Sequence, residues 1–320
     1  MRLTINHQYR RRLLAATMLT TFVAAPFAAA SAAVVFDAVS AGDMTGSDAI
    51  LWTRADNGGA TTSLTAQVSA NASFTGPLLT FNGTTSAAAD YTLKLDATGL
   101  SAGTTYFYRF TDGATTSMAG RFTTAPSVSQ SAPVAFGFSG DVDGRFRPYP
   151  SANGFGTTAR GTQNLNFFTF LGDTMYETAA TGSPATVAAT TNGSNAAQVL
   201  LDYHRKYLEN IKGVTAVGAA STTGQQGVRQ MLAATGSYTL LDNHELGNRQ
   251  LQAGGAPRTS ANTGNPLSMD VNATGAYNNK SAGFQALQQA YMDYHATRDI
   301  TVPAGPTRSP ITASPISCTC

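Results

Sequence analysis

The stretch Asn166-Phe-Phe-Thr-Phe-Leu-Gly-Asp-Thr-Met-Tyr-Glu177 sets a short apolar run, Phe167, Phe168, Phe170 and Leu171, directly against Gly172-Asp173. A run of that length ending in glycine reads as a buried parallel strand, although periodicity alone leaves a core helix open. The Asp173 carboxylate then stands at the strand's carboxyl end, where open α/β sheets place their ligands. Two similar places flank it in the chain. Val134-Ala-Phe-Gly-Phe138 runs into Ser139-Gly140-Asp141-Val142-Asp143-Gly144, and Tyr238-Thr-Leu-Leu241 runs into Asp242-Asn243-His244-Glu245. Three strands that each end in an acidic or amide-rich turn supply carboxylate, amide oxygen and imidazole, the donors that hard and borderline cations take. Turn formation alone explains any one of these corners. Three in a strand–helix alternation point to a metal site.

Between these corners the spacing predicts helices. One covers about 195–211, with Val199, Leu200, Tyr203 and Tyr207 on one face, and a shorter one covers about 226–234, closed by Gly236. A third starts at Ser281 as N-cap and runs through Phe284, Leu287, Tyr291 and Tyr294. The part before the first corner has a different texture. From Val34 to about Ala125 the pattern is strand and turn: Ala49–Arg54 with the chain's one tryptophan, alternating Leu64, Ala66 and Val68, then Tyr91, Leu93 and Leu95. Tyr106, Tyr108 and Phe110 share one face, and Leu100, Gly103 and Tyr106 resemble the tyrosine corner of fibronectin type III sandwiches. Trp52, Tyr106 and Tyr108 read as core. The expected organisation is a fibronectin type III-like β-sandwich over 34–125, a Pro/Ser-rich linker over 126–133 and an α/β domain over 134–320.

Residues 1–33 read as an export signal. Arg10-Arg11-Arg12 precedes Leu13-Leu14, an alanine-rich run and the small residues Ala30-Ser31-Ala32. The arginines fit a twin-arginine signal and equally an ordinary Sec n-region. Cleavage removes Arg2, Arg10, Arg11 and Arg12 with no acidic residue, so the formal charge of +2 becomes −2. The basic balance therefore belongs to the precursor and argues against a nucleic-acid partner. No apolar run is long enough for a permanent membrane anchor. The expected location is periplasmic or secreted, and Cys318 and Cys320, with one residue between them, give no structural disulfide.

Gly172-Asp-x-x-Tyr176-Glu177 together with Asp242-x-His244-Glu245, in order with Val39–Arg54, Tyr203-His-Arg-Lys-Tyr207 and Ala290-Tyr-Met-Asp-Tyr-His295, resembles the alkaline phosphatase D (PhoD-like) metallophosphatases, relatives of the calcineurin-like and purple acid phosphatases. The resemblance implies a calcineurin-like α/β domain with a dinuclear site of iron and calcium. Within it, Asp173 is the bridging ligand, Tyr176 a phenolate ligand and Asn243 a ligand of the second metal that also contacts phosphate. His244 steadies the transition state or protonates the leaving group. Asp141 stands where the family commonly has a cysteine, exchanging a soft ligand for a hard one and leaving the first metal open.

Arg145 and Arg147 are candidates for phosphate contact, with a solvated loop as the alternative. Asp143 and Asp242 are supports or turn residues, and His204 and His295 are packing or surface residues. The implied activity is hydrolysis of small phosphomonoesters, with phosphodiesters as further substrates, by metal-activated water for phosphate scavenging. The other reading is a non-catalytic secreted binding protein. Family members continue into further strands carrying an aspartate and histidines, for which Ser309–Cys320 offers no counterpart, so the resemblance is to an N-terminal portion with weak or absent activity.

Overall fold

A computed structural model describes residues 33–152, 154–155, 165–176, 196–213, 228–246 and 282–298. The expected export signal, the Ser281 cap, Glu177 and the cysteines lie outside these residues, as do the side chains of Arg145 and Phe284. The described residues include ten strands: β1 Val35–Gly42, β2 Ala49–Asp56, β3 Ser63–Ser69, β4 Leu79–Thr84, β5 Thr92–Ala97, β6 Thr105–Thr111, β7 Gly120–Thr123, β8 Phe136–Ser139, β9 Phe167–Phe170 and β10 Ser237–Thr239. The helices are α1 Ala196–Lys212, α2 Arg229–Ala234 and α3 Ala282–Tyr294. Among the described residues no helix is long and apolar enough to cross a membrane.

The strands form a four-stranded sheet, β4-β3-β6-β7, and a six-stranded sheet, β5-β2-β1-β10-β9-β8. The second sheet is mixed. β5, β2 and β1 are antiparallel, while β8, β9 and β10 pair in parallel, and Gly42 of β1 meets Ser237 of β10 in parallel register. Residues 126–133 are exposed and irregular, as a linker would be, yet the strands on either side of them belong to one hydrogen-bonded sheet.

β1 and β2 form the middle layer. Side chains alternate across a strand, and here both sets are covered. Val39, Ala41, Ala49 and Leu51 pack against Tyr106, Tyr108, Phe110 and Phe122 of the small sheet. Ala38, Ile50 and Trp52 pack against Val199, Tyr203, Tyr207 and Ile211 of α1 and Leu287, Ala290 and Tyr294 of α3. Val199, Tyr203 and Tyr207 recur every four residues, which gives α1 the apolar stripe that this layer requires. Trp52 donates its indole N–H to the Asp293 carbonyl at 2.6 Å, and His204 meets the Asp293 carboxylate at 2.8 Å. His204 is therefore a buried tie between α1 and α3.

Three expectations are corrected. The Phe136–Phe138 strand is not buried: β8 is an edge, with Phe136 and Phe138 55% and 64% exposed. The third strand ends at Thr239, and Leu240 and Leu241 are exposed. Gly236 is not a left-handed helix cap; Thr235 follows α2 in extended conformation, and a Cβ at 236 would press on Met44 and Phe122.

A polar cluster sits inside the layer. The β1–β2 register shifts between Phe36 and Ala38, and at this bulge Asp37 is buried. Arg54 of β2 pairs with Asp37 and with Asp90 at 3.0 Å, and Lys212 at the end of α1 reaches Asp37 at 2.9 Å. Tyr294 donates to Asp90. Removing one partner of such a buried pair leaves a charge without compensation. Arg54→Met is expected to destabilise the chain by about 3–5 kcal/mol, read as a lower urea midpoint, with Arg54→Lys recovering part of the loss.

Candidate metal centre

Because β10, β9 and β8 are parallel neighbours, their carboxyl ends open side by side. Asp141 and Asp173 both adopt left-handed backbone (φ 59° and 51°), a conformation short polar side chains tolerate best after glycine. Gly172 (φ 102°) must be glycine for a second reason: a Cβ there would overlap the Cβ of Asp242. The second and third corners can close on each other only across that bare backbone.

The corners are tied by hydrogen bonds. Val142 N–H donates to the Asp173 carbonyl at 2.7 Å, and His244 N–H donates to Asp173 Oδ1 at 3.1 Å. The Tyr176 hydroxyl lies between the carboxylates, against Asp141 Oδ1 and 3.3 Å from Asp173 Oδ2. The His244 ring packs on Tyr176 at 3.9 Å between centroids. Asp141, Asp173, Tyr176 and His244 thus come together. Asn243 is on the same turn, its N–H donating to Asp242 Oδ1 at 2.7 Å.

Two residues that sequence reasoning left without a role hold this arrangement. Glu245 is fully buried, and its carboxylate accepts N–H groups from Asp173 at 3.0 Å, Asp242 at 2.9 Å and Thr174, plus the Thr174 hydroxyl at 2.7 Å. Asn210 of α1 donates to the carbonyls of Val142 and Thr174, both at 3.0 Å, so it clamps the first corner to the second. Its Oδ1 accepts from Arg147 and Tyr149. Arg147 is corrected accordingly: it is buried against Asn210 and Glu209, neither solvated nor facing the corners. Asn210 had a legible signal, a polar side chain on the buried stripe of an amphipathic helix. Glu245 had only its place in the Asp-x-His-Glu motif.

Burial raises the Asp173 carboxyl above its usual range, and neighbouring Asp242 and Asp141 push the same way against the His244 N–H. Burial also raises the Tyr176 hydroxyl strongly, reinforced by its bonds to the two aspartates. In the chain by itself Tyr176 is a phenol donor rather than a phenolate. Two carboxylates and a phenol oxygen, with no cationic side chain among them in these contacts, are a hard-oxygen set that fits a cation. Among the described residues no group of three His, Cys, Asp or Glu side chains gathers for a metal.

A family model for the PhoD-like phosphatase N-terminal domain matches residues 22–126. The solved structure of PhoD matches with a TM-score of 0.59 at 18% identity, over 85% of this chain and 48% of that one. The likeness is one of fold, and the chain spans about half of PhoD's length. A purple acid phosphatase from yellow lupin (Lupinus luteus) seeds aligns over 75% of this chain and 39% of its own at 14% identity, TM-score 0.41. The sensor domain of the anti-sigma factor RsgI4 in Pseudobacteroides cellulosolvens covers 32% of this chain and 100% of its own at 17% identity, TM-score 0.24. Those two likenesses are too slight to carry an argument. Comparison with the curated proteins returns no match.

Glu245→Ala leaves three N–H groups of two corners without an acceptor and is expected to destabilise the chain by about 2–4 kcal/mol, with Glu245→Gln in between; thermal unfolding checks both. A second expectation concerns His295, just after α3, whose pKa burial lowers to about 4, opposed by the Tyr291 carbonyl and reinforced by Lys94. The unfolded chain takes up this proton near pH 6.5 and the folded chain only near 4. Folding stability should therefore fall as pH drops from 6.5 to 4, and urea midpoints across that range should lose part of this slope in His295→Gln.

Proposed function

We propose that the chain is the N-terminal part of an exported, metal-dependent phosphoric ester hydrolase. Its substrates would be small phosphomonoesters, with phosphodiesters as further ones, cleaved at alkaline pH for phosphate scavenging. The observation that carries this reading is the Tyr176 hydroxyl in contact with carboxylates from two separate strand ends, Asp141 and Asp173, in a chain with the PhoD fold. Asp141, Asp173 and Tyr176 would hold the first cation, with Asp173 shared by a second that Asn243 also ligates; iron and calcium are the ions implied by resemblance. A bound cation supplies a nucleophile at neutral pH and neutralises charge on the phosphoryl oxygens.

The residues themselves do the rest. Asn243, on the turn beside Asp173, orients the phosphate. His244, whose ring plane Tyr176 fixes, offers its imidazole to the leaving oxygen. Arg145 follows the first corner and is the candidate for a further phosphate contact. The N-terminal module reads as a fibronectin type III-like sandwich, supported by the Ser101 N–H that donates to the Tyr106 hydroxyl at 3.0 Å in the expected tyrosine corner. Residues 1–33 direct export by the twin-arginine or Sec route, giving a periplasmic or secreted protein.

The test is release of p-nitrophenol from p-nitrophenyl phosphate and its bis ester at alkaline pH, with bound iron and calcium measured on the same preparation. Asp173→Ala is expected to lower turnover by roughly 100-fold or more while leaving the fold intact by circular dichroism. Turnover that survives this substitution unchanged overturns the assignment.

A further inference from the structure

The hydrogen bonds that fix the Asp173 corner do not stop at Glu245. The Thr174 hydroxyl, which donates to Glu245 Oε1 at 2.7 Å, also lies 3.1 Å from His295 Nε2. The other imidazole nitrogen, Nδ1, is 2.8 Å from the Tyr291 carbonyl. A carbonyl only accepts, so Nδ1 carries the hydrogen and Nε2 presents its lone pair to the Thr174 hydroxyl, whose single hydrogen is shared between that lone pair and Glu245 Oε1. The ring is held between Tyr291, stacked at 4.2 Å, and Tyr207, edge-on at 5.2 Å. A cavity of about 40 Å³ adjoins His295, Thr174 and Tyr207. Tyr207, 3% exposed, lines the same cavity, which has room and polar groups for water.

We infer that His295 is a positioning residue for the cation-binding corner: through the Thr174 hydroxyl and the Glu245 carboxylate it holds the backbone that presents Asp173. His295 lies 122 positions from Asp173 in sequence, in a segment that carries part of the resemblance but was given no role at the site. It is brought there by α3, whose next residues anchor back on the sheet: Arg298 N–H donates to Asp43 at 2.6 Å and Lys94 to the Thr297 carbonyl at 3.3 Å. The inference rests on the reading of Asp141, Asp173 and Tyr176 as cation ligands.

The experiment separates hydrogen bonding from packing by choice of amide. The Gln amide reaches the place of Nε2, and the Asn amide reaches that of Nδ1. Wild type, His295→Gln, His295→Asn, His295→Phe, Thr174→Ser, Thr174→Val and the Thr174→Val/His295→Asn double variant of the full chain are titrated calorimetrically with Mn²⁺ and with Ca²⁺ alone. Thermal unfolding of the metal-free proteins is followed alongside. Gln and Ser should stay within about twofold of wild-type affinity, while Asn, Phe and Val should lose roughly 10-fold or more. In the Val background, Asn should add little, because the shared hydroxyl is already gone. Additive losses, or Phe behaving like Gln, overturn the inference. A wild type that binds either cation with His295→Asn unchanged overturns it alone, whereas a wild type that binds neither overturns the proposed function and this inference with it. Should His295→Phe fail to fold, the Gln, Asn and Thr174 comparisons decide.

Discussion

β1 and β2 have no free face, and that constraint propagates through the molecule. A strand buried on both sides has to find partners for every polar group it carries, since an unpaired buried charge is costly. Asp37 at the β1 bulge and Arg54 opposite are such groups, and their partners come from elsewhere: Asp90 before β5 and Lys212 at the end of α1. Satisfying them fixes where α1 ends. Once α1 is laid over the sheet, Asn210 on its last turn faces the corner loops and the Tyr207–Tyr294 ring contact sets α3 beside it. The geometry of the candidate site is thus decided at the far end of a helix by an ion pair in the middle of a sheet.

At the site the same economy applies to backbone groups. Tight turns after parallel strands leave N–H groups pointing inward, where water cannot serve them. One buried carboxylate, Glu245, collects three of these donors from two corners. Burial raises its pKa, while the bonds to Thr174, Asp242 and Asp173 favour its charged form. The net effect is a rigid junction, because any shift of one corner strips donors from the carboxylate that holds the other.

What could be read from the sequence was local. Phe167–Leu171 against Gly172-Asp173 announced a strand and its ligand turn because glycine and aspartate report on the few residues around them. Val199, Tyr203 and Tyr207 announced α1 through spacing alone. The shared sheet was not legible, since nothing within Val35–Gly42 shows that its last residue will pair in parallel with Ser237. Nor was the exposure of Phe136 and Phe138: an apolar run signals a strand but does not say whether a neighbour will cover it. Arg147 looked like a loop cation because its partner, Asn210, comes from a helix dozens of residues later. His295 and Glu245 had the same disadvantage, with roles defined by contacts that local pattern does not encode.

The electrostatics of the corner carry the last step. Asp141 and Asp173 flank a tyrosine whose hydroxyl burial and those two carboxylates hold protonated, so the metal-free corner keeps its negative charge on aspartates. The phenol partly relieves that repulsion by donating to Asp141. On the proposed reading, a cation held by Asp141 and Asp173 would neutralise the carboxylates and favour the phenolate they oppose. Tyr176 would then serve as ligand rather than donor with little movement, since its oxygen already contacts both carboxylates.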